Sequence, residues 1–194
     1  MAGRLENRSI LLGVTGGIAA YKACELARLL VREGADVSAV LTVNATKFVQ
    51  PLSFEAITGR VCRSDMFEWA AGGSDPYVHL DRSGSLDAMI VAPATANMIA
   101  RMAAGLADDL LSTLFLSVRC PVFVCPAMNS RMYEHPATAR NIETLRSFGC
   151  RILGPAEGAL ACGETGKGRM VEPSEIVEAV IADLKERAPK RSGG

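Results

Sequence analysis

Apolar residues fall along the chain in two alternating patterns. Short strand-like runs occupy 10–14, 36–41, 88–92, 122–125 and 151–153. Between them lie segments in which apolar positions recur every three or four residues, the period of a helix with one buried face. In the segment 18–32 that face carries Ala23, Leu26, Ala27 and Leu30, and Gly34 follows where a left-handed residue is needed to end a helix. A last helix begins near Pro173 and aligns Val177, Val180, Ile181 and Leu184. Strands alternating with helices predict an α/β fold, a central parallel sheet covered by helices. Two long stretches, 65–85 and 154–170, resist assignment to either period, and irregular segments of that length in compact α/β domains are often lids or binding loops.

With 194 residues the chain has room for one domain of ordinary size, with its core over about 9–185 and a tail or linker over 186–194. Lys plus Arg number 21 and Asp plus Glu 21, and the one basic run is the short stretch 185–191, so no nucleic-acid partner is expected. No apolar run approaches the length of a membrane span, and the polar first nine residues do not read as a signal peptide; the expectation is a cytoplasmic protein. The six cysteines contain no CxxC pair and there are two histidines, so neither a disulfide framework nor a metal site is indicated. Cys24, Cys120, Cys125 and Cys150 lie in apolar patterns as small buried hydrophobes, whereas Cys162 does not.

The first strand runs into Gly13-Val14-Thr15-Gly16-Gly17-Ile18, where glycines allow a tight turn and a following helix start offers free N–H groups. Such a turn either cradles a phosphate or is purely structural. Its spacing is not that of a dinucleotide fingerprint, and the second strand ends in Leu41-Thr42-Val43-Asn44 without the acidic residue that binds a ribose diol, so a mononucleotide such as FMN fits better than NAD. A third loop, Pro93-Ala94-Thr95-Ala96-Asn97, again leaves a strand and opens a helix with small and hydroxyl residues. Ligands in open α/β sheets sit at the carboxyl ends of strands, which is where these loops converge.

Asn129 leaves the strand 122–125 in the run Pro126-Ala127-Met128-Asn129-Ser130-Arg131-Met132, where from position alone a helix-capping role is the simplest reading. In Ala161-Cys162-Gly163-Glu164-Thr165-Gly166-Lys167-Gly168-Arg169-Met170, three glycines surround a thiol with a lysine and an arginine nearby, the setting of a mobile loop and a lowered thiol pKa. His135, in a helix-start context, suits capping, and His79 on its own reads as an ordinary loop histidine.

The motifs PAMNxxM and ACGxxGxGRM, with APATAN and GLADDLLST, resemble the flavin-dependent cysteine decarboxylases, specifically the phosphopantothenoylcysteine decarboxylases, over about residues 10–177. The pair PAMN and ACGETGKGRM carries the specificity. The resemblance implies a three-layer Rossmann-like (flavodoxin-type) fold, bound FMN, and homotrimers or homododecamers with active sites between subunits. It places the family's catalytic positions on His79, Asn129 and Cys162, and the FMN contacts on Gly16, Gly17, Ile18, Thr42, Phe48, Ala94, Thr95, Ala96, Asn97 and Met128. Around His79 this chain departs from the family, which commonly has His-Ile with a leucine two residues later, where His79-Leu80-Asp81-Arg82 stands here.

A carboxylate beside a saturated carbon does not leave as carbon dioxide until an electron sink exists. FMN supplies one by oxidising the cysteine CH₂–SH of 4'-phosphopantothenoylcysteine to a thioaldehyde; decarboxylation then gives an enethiol, which takes the electrons back to yield 4'-phosphopantetheine. In that scheme Asn129 binds the substrate carboxylate, His79 acts as base or positioning group, and Cys162 donates the proton in the reductive step. The other readings are a peptidyl-cysteine decarboxylase, which stops at the enethiol and looks unlike this chain around the cysteine; a flavin prenyltransferase, which needs no Cys162 loop; an FMN-binding regulatory protein; and a simple flavin reductase. A phosphopantothenate-cysteine ligase domain, fused to this domain in many bacteria, is a further expected partner.

Overall fold

The computed structural model describes residues 3–66, 86–159, 163 and 165–186. Five strands form one parallel sheet: β1 (Ser9–Val14), β2 (Asp36–Leu41), β3 (Ala88–Ala94), β4 (Val122–Pro126) and β5 (Arg151–Ile152), in the order β2-β1-β3-β4-β5. This is the flavodoxin-type order, and the chain reverses its direction of growth between β1 and β3, leaving a crevice at their carboxyl ends. Strands 1, 3 and 4 read as almost continuous apolar runs because both faces of the sheet are covered.

Alternation along each strand divides the core. Ile10, Leu12, Ile90 and Phe123 face one layer, made by α1 (Tyr21–Arg32), α2 (Pro51–Thr58) and α7 (Pro173–Lys185). Leu11, Met89, Val91 and Val124 face the other, made by α3 (Ala96–Ala104), α4 (Leu110–Ser117) and α6 (Pro136–Ser147). A short helix, α5 (Ser130–Glu134), leads into α6. The expected face of α1 is the buried one, and Gly34 ends it at φ 89°. The first three residues of the segment 18–32 form a 3-10 turn, Ile18–Ala20, before the α-helix begins. The buried residues of α7 include all four that the sequence aligns.

One stretch departs from the sequence expectation. Within 154–170, read as irregular, β6 (Ala156–Ala159) and β7 (Thr165–Arg169) pair antiparallel as a separate hairpin, with Cys162 in its connection. Cys162 itself, His79 and the 187–194 part of the expected tail lie outside the described residues. No helix among the described residues is long and apolar enough to cross a membrane.

Candidate functional site at the carboxyl end of the sheet

A cleft of about 1150 Å³ opens where β1, β2, β3 and β4 end. Its lining includes Gly16, Gly17, Ile18, Thr42, Thr95, Ala96, Asn97, Met128 and Asn129. The structure thus gathers most of the sequence-derived candidates into one cavity. Ala94 and Phe48 are not among the lining residues: Ala94 is buried in β3, where its carbonyl accepts the Ala127 N–H at 3.0 Å, and Phe48 is half exposed at the end of a 3-10 turn.

The loops on either side of the β1/β3 crevice are tied by Thr15, which is 2% exposed. Its hydroxyl donates to the Pro93 carbonyl at 2.7 Å and accepts the Thr95 N–H at 3.0 Å. Thr95 in turn caps α3, its Oγ1 accepting the Met98 N–H. Gly16 is needed for a close approach rather than for an unusual dihedral angle: a Cβ there would lie 2.5 Å from the Asn44 Cβ and 2.7 Å from its carbonyl carbon. The Gly17 and Ile18 N–H groups stand at the first turn of the helical segment, where no intrahelical acceptor exists. Glycines thinned to admit a neighbouring loop, two helix starts and a wide crevice suit a mononucleotide with its phosphate at the turn. Thr42 has a second duty, since its Oγ1 accepts the Ala45 N–H at 3.2 Å and closes the turn after β2.

On the far wall, Asn129 is the N-cap of α5, with Oδ1 accepting the Arg131 N–H at 2.8 Å. The capping role read from position therefore holds, and the same residue faces the cleft. The hairpin lies directly on this turn. The Met128 N–H donates to the Gly168 carbonyl at 3.0 Å, and a Cβ on Gly168 would come 2.2 Å from the Met128 oxygen. A Cβ on Gly166 would sit 3.1 Å from the Ser130 Cβ. Two of the three glycines read as loop mobility are strand residues stripped for close packing. They bring β7, which follows Cys162 in sequence, against the turn that carries Asn129.

Charges occupy opposite rims. Arg101 on α3 contacts Asp109 at 2.7 Å and Asp108 at 3.1 Å, and Asp109 forms a capping box with Ser112 at the start of α4. Lys22 on α1 contacts Glu172 at 2.9 Å, and that hydrogen bond holds the Glu172 carboxyl below its usual range. Lys22 and Arg101 line the cleft without having been singled out in the sequence, as do Thr15 and Met132, which stood in quoted runs without a role of their own, and Arg169, which was read only as a cation near Cys162. Helical spacing offered the signal for three of them: Lys22 follows Ile18 by four residues, Arg101 follows Asn97 by four and Met132 follows Asn129 by three. His135 caps α6, its Nδ1 accepting the Ala137 N–H at 3.2 Å. Burial pushes the Cys150 thiol up to about 11 and raises those of Cys24 and Cys125.

Residues 2–185 match the model of the family described as Flavoprotein. The chain belongs to the Flavoprotein family. Among members and relatives, it is 47% identical over 176 residues to the coenzyme A biosynthesis bifunctional protein CoaBC of Bacillus subtilis, covering 90% of this chain and 42% of that protein. The chain therefore spans less than half the length of the curated relatives it matches. Its fold superimposes on a PPC decarboxylase mutant complexed with pantothenoylaminoethenethiol with a TM-score of 0.82, at 32% identity over 92% of this chain and 98% of that one. The FMN-dependent cysteine decarboxylase SpaF gives a TM-score of 0.79 at 28% identity, over 93% and 99% of the two chains. These likenesses agree with the parallel-sheet fold described above and with FMN as the cofactor of this family domain.

Proposed function

We propose that this chain decarboxylates 4'-phosphopantothenoylcysteine to 4'-phosphopantetheine with FMN as cofactor, as the decarboxylase part of coenzyme A biosynthesis. The observation that carries the reading is the seating of the β6–β7 hairpin on the Met128–Ser130 turn through Gly166 and Gly168. It brings β7, the strand that follows Cys162 in sequence, and the asparagine turn to one wall of a cleft whose other wall has the features of a mononucleotide site. The likeness to a PPC decarboxylase and to CoaBC supports the substrate.

Bound FMN supplies the two-electron sink that decarboxylation requires. The chain's own residues bind and orient. Gly16, Gly17 and Ile18 offer N–H groups to the cofactor phosphate, and Thr95, Ala96 and Asn97 line the opposite side of the crevice. Asn129, whose Oδ1 accepts the Arg131 N–H, is the amide assigned to the substrate carboxylate. Cys162 gives the proton in the reductive step, and His79 serves as base or positioning group. We further infer a cytoplasmic homotrimer or homododecamer acting beside a phosphopantothenate-cysteine ligase domain, in keeping with the bifunctional relatives.

The test is to record the visible spectrum of the purified protein and incubate it with 4'-phosphopantothenoylcysteine, following carbon dioxide and products by mass spectrometry. The expected result is a yellow protein yielding 4'-phosphopantetheine, with Cys162→Ser accumulating a product lighter by the mass of H₂. A yellow protein that leaves this substrate untouched overturns the assignment in favour of a peptide cysteine or a prenyl substrate.

A further inference from the structure

The two charged rims of the cleft are not equivalent. Around Arg101, one cation meets two carboxylates, Asp108 and Asp109, so that rim carries an excess of negative charge. At the other rim, two cations share one oxygen: Glu172 Oε1 lies 2.9 Å from Lys22 Nζ and 3.6 Å from Arg169 Nη2. That rim carries an excess of positive charge. Lys22 stands in the first turn of α1 and its side chain is 14% exposed. Arg169 ends β7, and its guanidinium lies over Gly158 of β6, its carbon 3.5 Å from where a Cβ would stand, which is ordinary contact distance. Glu172 is the N-cap of α7, fixed between buried Val171 and buried Pro173. Lys22 and Arg169 both line the cleft.

We propose that Lys22 and Arg169, spaced by Glu172, form a subsite for a phosphomonoester, and that the group they take is the 4'-phosphate of the substrate. This rests on the proposed function. A carboxylate of single charge is matched by one cation, and Asn129 already offers it a partner. A phosphomonoester carries about −1.5 to −2 near neutral pH and has the oxygens to meet an ammonium and a guanidinium fork together. The surplus carboxylate at the Arg101 rim turns such a group away, which leaves the Lys22 side as the end of the cleft where a second anion is favoured. Glu172 is a positioning residue here: it holds both cations in place and competes with the ligand for them.

The flavin carries a phosphomonoester too, and the experiment separates the sources without turnover. Holoenzyme is titrated calorimetrically with 4'-phosphopantetheine and with pantetheine, and apoprotein with FMN and with riboflavin, for the wild type, Arg169→Gln, Lys22→Met, Arg169→Lys and Glu172→Gln. The expected result is a loss of about tenfold or more in affinity for 4'-phosphopantetheine in Arg169→Gln and Lys22→Met, with pantetheine unchanged within about twofold. Arg169→Lys recovers part of the loss, because charge returns without the fork. Glu172→Gln, which removes the competing charge, binds 4'-phosphopantetheine severalfold more tightly, an outcome that a merely structural glutamate would not produce. Equal losses for both pantetheine ligands overturn the proposal, as does a loss confined to FMN relative to riboflavin. A wild type that prefers the phosphorylated ligand through Arg169 yet decarboxylates nothing overturns the reaction and leaves the subsite standing. One that decarboxylates but binds the two ligands equally overturns the subsite alone.

Discussion

At the amino end of the sheet, Arg8 reaches Asp87 at 3.0 Å and the Leu184 carbonyl at 2.8 Å, while Asp87 also accepts the Ser9 N–H at 2.9 Å. One buried ion pair thereby ties the leading residues of β1 and β3 to the last turn of α7. At the carboxyl end the corresponding positions hold glycines, a buried hydroxyl and helix starts, and the chain closes there by backbone approach: Gly16 against Asn44, Gly168 against Met128. The same strands therefore end in side chains that bind the protein to itself on one side and in backbone left available to a ligand on the other. Stability and binding are separated along the strand axis, which is why a ligand site can be widened at one end without loosening the core.

The sharpest way to break this division is Asp87→Ala. Removing one partner of a buried pair takes the Asp87 carboxylate away from Arg8, only 11% exposed, and the expected cost is about 3–5 kcal/mol in urea unfolding. The folded fraction should keep its flavin spectrum and its FMN affinity. If FMN affinity falls in parallel with stability, the two ends are not independent.

Gly168→Ala should do the reverse. The added Cβ meets a backbone oxygen at 2.2 Å, so β7 must lift from the Met128–Ser130 turn, at a cost to stability of about 1–3 kcal/mol. The effect on turnover is expected to be larger, on the order of a hundredfold, because the substitution displaces β7 relative to the Asn129 turn that lines the cleft. Steady-state kinetics beside thermal unfolding decide it: activity lost only in proportion to folded protein would show that the hairpin does not set the site.

The sequence was most informative where burial imposes a period. The strands, the inward face of α1, Gly34 and the last helix are all readable because parallel strands and amphipathic helices write their environment into side chains. The rule that ligands collect at strand carboxyl ends located the cleft, and the motif resemblance located Asn129 within it. The hairpin was not legible, for the opposite reason. Two of the five residues of β7 are glycine, which is depleted in strands and has no side chain to show a period; the strand exists because Met128 and β6 give its backbone partners. Helix α4, Leu-Leu-Ser-Thr-Leu-Phe-Leu-Ser, is apolar almost all round and presents no face to read. Lys22 was unremarkable as sequence and Arg169 was legible only as a cation near Cys162, because what joins the two is a shared oxygen on Glu172, 150 residues beyond Lys22 and three beyond Arg169.

The smallest expected effect tests whether burial, rather than charge, makes the amino end strong. Arg4 bridges Glu33 and Glu178, each at 2.7 Å, on the same side of the molecule as Arg8, but in solvent: its side chain is 44% exposed and that of Glu178 60%. Hydrogen bonds from Arg4 hold both carboxyls below their usual range. Groups with lowered folded values contribute stability that is present above the ordinary carboxylate pKa of about 4.3 and is lost as the pH falls through the lowered values. Arg4→Met should thus lower Tm slightly at pH 7, by about 2 °C or less given the solvent screening, with the gap to wild type closing below about pH 4 and narrowing in high salt. Melting curves at pH 7 and pH 3, with and without salt, check it. A drop as large as that of Asp87→Ala, insensitive to salt, would mean that the bridging geometry and not burial fastens this end, and the contrast between the two ends of the sheet would then rest on charge pairing alone.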